Sequence, residues 1–283
     1  MIKTSVIITV YNRRQLLRNC LISLIHQSQL PDELIISDDG SQEDIREILY
    51  EMAAQMKFIL KYVRQPNRGF RLARCRNNGV RFSQGDYLIF LDQDLIFTKN
   101  LMATFIDNYH PQHFNVCYPL RLSAQQTGMI DDNVIRDFNF DQIFKGSQLQ
   151  KINRQYRKDK FYSLLKRLHV KDSGAKFRGG AVGINRADFE KINGYDENYI
   201  GWGNEDDDLG RRLYRIGVRG RNISDSEFPI HLHHHPFHIN GERVNHNYYQ
   251  AKKNDIDRGK YQAKNGLDNP DDTHEIVYQE FSR

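Results

Sequence analysis

The feature that most restricts this chain is an alternation, across residues 5–92, of short apolar runs with stretches of helical periodicity. Residues 5–10 are an apolar run, after which Leu16, Leu17, Cys20, Leu21, Leu24 and Ile25 recur at helical spacing. Pro31-Asp32 breaks that helix, and residues 33–37 give a second strand. The same reading predicts a helix over 42–55, a strand over 58–63, a helix over 73–82 and a strand over 86–91 that stops at Asp92-Gln93-Asp94. Apolar strands separated by helices require a parallel sheet covered on both faces, so the fold class is α/β, a mostly parallel central sheet flanked by helices. Ligands of such sheets bind at the carboxyl ends of the strands. Those ends carry Tyr11, Asp38-Asp39-Gly40-Ser41 and Asp92-Gln93-Asp94. Any one of these is as readily an ordinary polar turn. Their placement at successive strand ends points to a site.

The second half is less regular. Residues 177–185 form a glycine-rich strand, Gly179-Gly180-Ala181-Val182-Gly183, that suits close backbone approach. No repeat or long linker divides the 283 residues, and two halves sharing one sheet fit better than independent domains. The 16 Phe and 15 Tyr supply a core and exclude wholesale disorder. Three distant cysteines argue against a disulfide framework and fit a reducing cytoplasm. The first apolar run is too short for a secretory core, and no stretch approaches the roughly 20 apolar residues of a span. The expected location is cytoplasmic, at most peripheral on the inner face of the membrane.

Several groups can carry chemistry. Asp92 and Asp94, one residue apart after a buried strand, can face one ligand, and hard oxygens suit Mg²⁺ or Mn²⁺ bridging a diphosphate. Glu205 to Asp208 place four acids at the start of a helix marked by Leu209, Leu213 and Ile216. The helix dipole favours acids there, and capping is the expected role of Asp208. Asp206 falls on the inward stripe with Leu209 and Leu213, where a carboxylate can take a proton from an alcohol. Imidazoles at 231, 233, 234 and 235 offer one or two metal ligands, and His233 and His235 share a face if the segment is extended. Imidazole beside carboxylate suits Mn²⁺ better than Mg²⁺, and spacing alone leaves zinc open. Arg64, Arg68, Arg71, Arg74, Arg76 and Arg81 crowd one region without an intervening acid, and Arg71 and Arg74 are the phosphate candidates. Residues 151–171 hold eight basic residues against Asp159, around a helical face of Phe161, Leu164, Leu165 and Leu168. That segment is read either as a helix packed on the core or as a peripheral membrane contact on anionic lipid. Aromatics are not interleaved with the basic residues, so no nucleic-acid partner is expected.

These motifs resemble the family 2 glycosyltransferases of GT-A fold. The resemblance rests on Ser5-Val-Ile-Ile-Thr-Val-Tyr-Asn12, Leu34-Ile-Ile-Ser-Asp-Asp-Gly-Ser41 and Asp92-Gln-Asp94. Gly201-Trp-Gly-Asn-Glu-Asp-Asp-Asp208 is similar to the acceptor-side motif of β-1,4-galactosyltransferases and chondroitin-type polymerase domains. The resemblance implies one GT-A domain over 1–283, with a nucleotide-sugar half to about 110, an acceptor and catalytic half over 111–240, and a tail from 241. It implies an inverting transfer of a hexose or N-acetylhexosamine from a UDP-sugar donor to a glycan or lipid-linked glycan acceptor, in bacterial-type surface polysaccharide or lipopolysaccharide synthesis. Tyr11 then stacks on uracil, Asp39 bonds its ring nitrogen, and Thr9 joins the donor-binding set. Asp92 contacts the ribose or the ion, and Asp94 ligates Mn²⁺, with Mg²⁺ the alternative. Asp206 matches the catalytic base, Glu205 its sugar-binding neighbour, and Trp202 packs on a donor or acceptor sugar. A downstream histidine completes the metal site, His235 first and His233 second. Asn204 departs from the frequent Trp-Gly-Gly-Glu pattern, which weakens any inference of galactose specificity. Two other classes compete: a non-catalytic nucleotide- or glycan-binding module, and a metal-dependent phosphohydrolase using Asp92, Asp94 and the histidines.

Overall fold

The computed structural model describes residues 2–168, 170, 174–178, 180–235, 244–268 and 275–281. Its first half alternates β1 (Thr4–Val10), α1 (Arg14–Ile25), β2 (Glu33–Asp38), α2 (Arg46–Ala53), β3 (Ile59–Arg64), α3 (Leu72–Arg81) and β4 (Tyr87–Asp92). There follow β5 (Leu95–Phe97), α4 (Leu101–Asp107), β6 (His113–Val116), β7 (Leu120–Arg121), α5 (Ala124–Thr127), α6 (Asp132–Asp137) and α7 (Gly146–Arg167). The chain continues with β8 (Ala181–Asn185), α8 (Arg186–Lys191), α9 (Glu205–Arg215), β9 (Arg219–Asn222), β10 (Pro229–His231), α10 (His246–Asp257) and β11 (Val277–Phe281).

Eight strands form the main sheet in the order β11-β3-β2-β1-β4-β8-β6-β9. Strands β3, β2, β1 and β4 run parallel, and β8 enters antiparallel beside β4. The central strands are apolar at nearly every position because both faces are buried: Val6, Ile8 and Val10 join one core, and Ile7 joins the other. Parallel register sets Thr9 between Ser37 and Asp92, so the loops after β1, β2 and β4 emerge side by side.

Three differences from the sequence expectation have local causes. Helix α2 starts at Arg46 rather than 42, because the backbone N–H groups of Gln42 and Glu43 donate to Asn12 Oδ1 and that of Arg46 to Asp44 Oδ1. Strand β8 starts only at Ala181, after Gly180 turns the chain at φ 112°; Gly179 lies outside the described residues. The polar tail contributes to the fold: β11 pairs antiparallel with β3, and α10 packs against α9. A second sheet of order β5-β10-β7 has strands of two or three residues, too short to show any period. No helix among the described residues is long and apolar enough to cross a membrane.

Candidate active site

The loop after β1 turns through two left-handed residues, Asn12 (φ 54°) and Arg13 (φ 61°). It is tied to the loop after β2, since Asn12 N–H donates to Ser41 Oγ at 2.7 Å. Gly40 is required there: at φ 81°, a side chain would place its Cβ 2.4 Å from the Asn67 backbone nitrogen. Tyr11 is held by two amides, Gln93 Nε2 donating to its carbonyl and Asn67 Nδ2 to its hydroxyl. The neighbouring aspartates divide the work. Asp38 accepts from Ser41 and Tyr62 and is part of the scaffold. Asp39 accepts the Arg71 backbone N–H at 2.9 Å and the Gln65 amide, yet burial still raises its carboxyl to about 6. Thr9 is buried on β1 behind them.

Beyond β4, Asp94 stands where the chain enters β5. Antiparallel pairing of β5 with β10 sets Leu95 opposite His231, and Leu232 N–H donates to the Asp94 carbonyl. His231 Nε2 lies 3.6 Å from Asp94 Oδ2, and His234 Nε2 lies 2.7 Å from it. The histidines facing Asp94 are therefore 231 and 234, which corrects the expectation of His233 and His235. The period of two ends with the strand: β10 stops at His231, Leu232 is buried, and His233 N–H is drawn to Thr127 Oγ1. The bend returns residue 234 instead, while His233 and His235 are exposed. The His235 carbonyl accepts from Arg13.

Asp94, His231 and His234 bring one ligand atom each within 4.8 Å of one another, and these residues fit a divalent cation. Asp94 Oδ1 is buried and has no hydrogen-bond partner among the described residues. Both ring nitrogens of His234 face oxygens, Nδ1 the His235 carbonyl at 3.1 Å and Nε2 the Asp94 carboxylate. A neutral imidazole can donate to only one of them, so this geometry needs either an extra proton or a cation at Nε2. The hydrogen bond to Asp94 accordingly raises His234, whereas burial lowers His231. Burial works against ionisation of Asp94, but His234, His231 and Arg13 together hold its carboxyl below the usual range.

Three of the four acids at the start of α9 take different partners. Asp206 Oδ1 accepts from Arg76 at 2.9 Å and from the Tyr195 hydroxyl at 3.3 Å. Asp207 accepts from Asn204. Asp208 is fully buried and accepts from Arg212 Nε at 2.6 Å, one turn on, so it is a core ion pair rather than the cap expected. Glu205 is buried with Oε2 unpartnered, and burial beside Asp206 pushes its carboxyl up to about 7. The loop before the helix turns through Gly201, Gly203 and Asn204, all at positive φ. Asn204 at φ 76° occupies a left-handed position that asparagine tolerates better than most residues, which explains why it can replace glycine there. Trp202 is exposed on this loop.

Arg76 joins the two ends of the site. Fully buried on α3, it also donates to Asp92 Oδ1 at 3.3 Å and lies over the Tyr195 ring. Arg71 and Arg74, expected at phosphate, are placed otherwise. The Arg71 guanidinium donates to the Pro66 carbonyl, and Arg74 is buried 4.0 Å from Glu197. Two residues apart on a helix, Arg74 and Arg76 point about 200° from each other, so only one can reach Asp92. Arg64, Arg68 and Arg81 meet Ser41, Glu275 and Glu197 respectively. The sequence did carry a signal for Arg76: it shares the inward stripe of Ala73, Asn77 and Val80, where a charge must find buried partners.

An α/β sheet with carboxylates and a trio that fits a divalent cation gathered at its strand ends has the fold of the GT-A class. The chain belongs to glycosyl transferase family 2, whose model matches residues 5–161; residues 159–236 match the model described as the N-terminal domain of galactosyltransferase. Chondroitin synthase of Escherichia coli is 26% identical over 247 residues, 77% of this chain and 33% of the relative. The chain spans 23% to 48% of the length of the first curated relatives it matches. Among solved structures, S. aureus TarS 1–349 in complex with UDP-GlcNAc has a TM-score of 0.60 at 17% identity, over 96% of this chain and 69% of that one. GalNAc-T7 with UDP, GalNAc and Mn²⁺ has a TM-score of 0.61 at 16% identity, over 89% and 48%.

Proposed function

We propose that the protein is an inverting glycosyltransferase that moves a hexose or N-acetylhexosamine from a UDP-sugar to a hydroxyl of a glycan or lipid-linked glycan, in cytoplasmic assembly of a surface polysaccharide. The observation that carries this reading is Asp206, held by Arg76 and Tyr195 on the same buried guanidinium that reaches Asp92 at the end of β4. Asp206 takes the proton of the acceptor hydroxyl, whose oxygen attacks the anomeric carbon opposite the leaving UDP. The C–O bond to the diphosphate breaks as the new one forms, so an α-linked donor gives a β-glycoside. Asp94, His231 and His234 would hold Mn²⁺ or Mg²⁺, whose positive charge would stabilise the departing diphosphate. Tyr11 stacks on uracil, Asp39 accepts its ring N–H and Asp92 takes the ribose. Glu205, its carboxyl raised to about 7 by burial beside Asp206, hydrogen-bonds a sugar hydroxyl beside Trp202. Fixed groups around an oxocarbenium-like centre supply the remaining stabilisation.

The test is a screen of UDP-sugars with Mn²⁺ against glycan acceptors, reading UDP release. Release that requires an acceptor supports transfer. Acceptor-independent hydrolysis indicates a phosphohydrolase, and binding without turnover a non-catalytic module; either overturns the proposal. Asp206→Asn is expected to lower kcat about 10²- to 10⁴-fold with UDP affinity kept, and near-normal turnover rejects Asp206 as the base.

A further inference from the structure

Helix α7 buries a carboxylate and, over its C-terminal half, turns apolar side chains to solvent. It buries Ile152 and Asp159, and Asp159 accepts from Gln155 and from Asn222. Phe161, Leu164 and Leu168, spaced three and four residues apart, form a ridge on the solvent side and are 56%, 51% and 60% exposed. Arg154, Arg157, Lys158, Lys160 and Arg167 are exposed on the same helix. The one acid within α7, Asp159, is the buried residue. The solvent face is thus an apolar ridge in a field of a single sign. Lys171, at the end of the basic segment, lies outside the described residues.

On the flank of α7 that turns from the ridge toward the edge strand β9, a cavity of about 330 Å³ opens. Lys160, Lys166, Arg167, Arg219, Arg221 and His113 line it, and among the described residues no carboxylate does. It shares no residue with the site at the strand ends, and His113 and Arg219 begin the parallel strands β6 and β9.

We propose that this face docks on an anionic phospholipid bilayer, the ridge entering the acyl boundary and a lipid phosphate entering the cationic cavity. A soluble anion satisfies the cavity but leaves the ridge in water. A single-stranded nucleic acid needs stacked aromatics, and the ridge offers only Phe161. A second copy docked by the same face sets like charges against each other. A lipid headgroup layer alone meets both halves of the surface.

The test is flotation of the full chain with vesicles of phosphatidylcholine alone and of phosphatidylcholine with equimolar phosphatidylglycerol. The expected result is binding to the anionic vesicles only, weakened by added salt. F161S/L164S/L168S and K160E/R167E are each expected to lower partitioning by about tenfold or more with an unchanged melting temperature, because the altered side chains are exposed. Equal binding to both vesicle types, or full binding by the triple-serine variant, overturns the proposal. So does complete competition by inorganic phosphate, which assigns the cavity to a soluble anion. A dimer that sediments as such in the parent and is lost in the triple-serine variant also overturns it, by assigning the ridge to a second copy.

Discussion

Replacing Arg76 by glutamine removes a cation placed against both Asp206 and Asp92, and the geometry sets the size of the effect. At 2.9 and 3.3 Å, with an effective dielectric constant of about 20, the gross attractions are about 6 and 5 kcal/mol. Most of this offsets the desolvation of a guanidinium that is only 2% exposed. Breaking a fully buried pair costs about 3–5 kcal/mol. Here Asp206 and Asp92 are 23% and 37% exposed, and water screens the carboxylates once they are abandoned. The expected loss is about 2–3 kcal/mol for the metal-free protein at neutral pH. Because the cost comes from stranded carboxylates, Asp206→Asn in the Arg76→Gln background should restore part of it. A double-mutant cycle by urea unfolding is expected to return a coupling of about 2 kcal/mol. Arg76→Lys should not rescue turnover, since one ammonium cannot span two acceptors as a planar fork does. Additive effects within about 0.5 kcal/mol refute the assignment of Arg76 as the link between the two carboxylates.

Mn²⁺ binding, followed by electron paramagnetic resonance, should weaken by at least about tenfold in His231→Ala and His234→Ala. It should change by less than about twofold in His233→Ala and His235→Ala. Uridine, which lacks phosphate and so reports on the base pocket without the metal, should bind fully above about pH 7, fall to half strength near pH 6 and lose affinity steadily below it. Asp39 must be ionised to accept the uracil N–H, and its carboxyl stands at about 6, so each pH unit below costs about tenfold. Asp39→Asn should flatten that profile in calorimetric titrations. Asp208→Ala strands the fully buried Arg212 and should cost about 3–5 kcal/mol in urea unfolding, with activity per folded molecule retained.

Much of the grouping at the strand ends was legible because it depends on period and position. A parallel sheet forces its strand ends into one row, so Tyr11, Asp39 and Asp92 could be placed together from the alternation alone. Asp206 was legible for a related reason, sharing a stripe with Leu209 and Leu213. The register of the histidines was not. It depends on β10 pairing with β5 and on Thr127 taking the His233 N–H, contacts between residues more than 100 positions apart. Arg76 was hidden among six arginines, since helical spacing says which side chains face inward but not which acids await them.

The residues alone determined the α/β class, the parallel alternation of the first half and the gathering of carboxylates at its strand ends, because local periodicity and sheet sterics leave few alternatives. They also determined that residues 151–171 carry a basic, apolar helix. Only the tertiary structure decided that its ridge faces solvent, that His231 and His234 face Asp94, and that one buried guanidinium joins Asp92 to Asp206. Each of these depends on which surfaces meet across the fold, and a pattern along one chain segment holds no information about the surface it will meet.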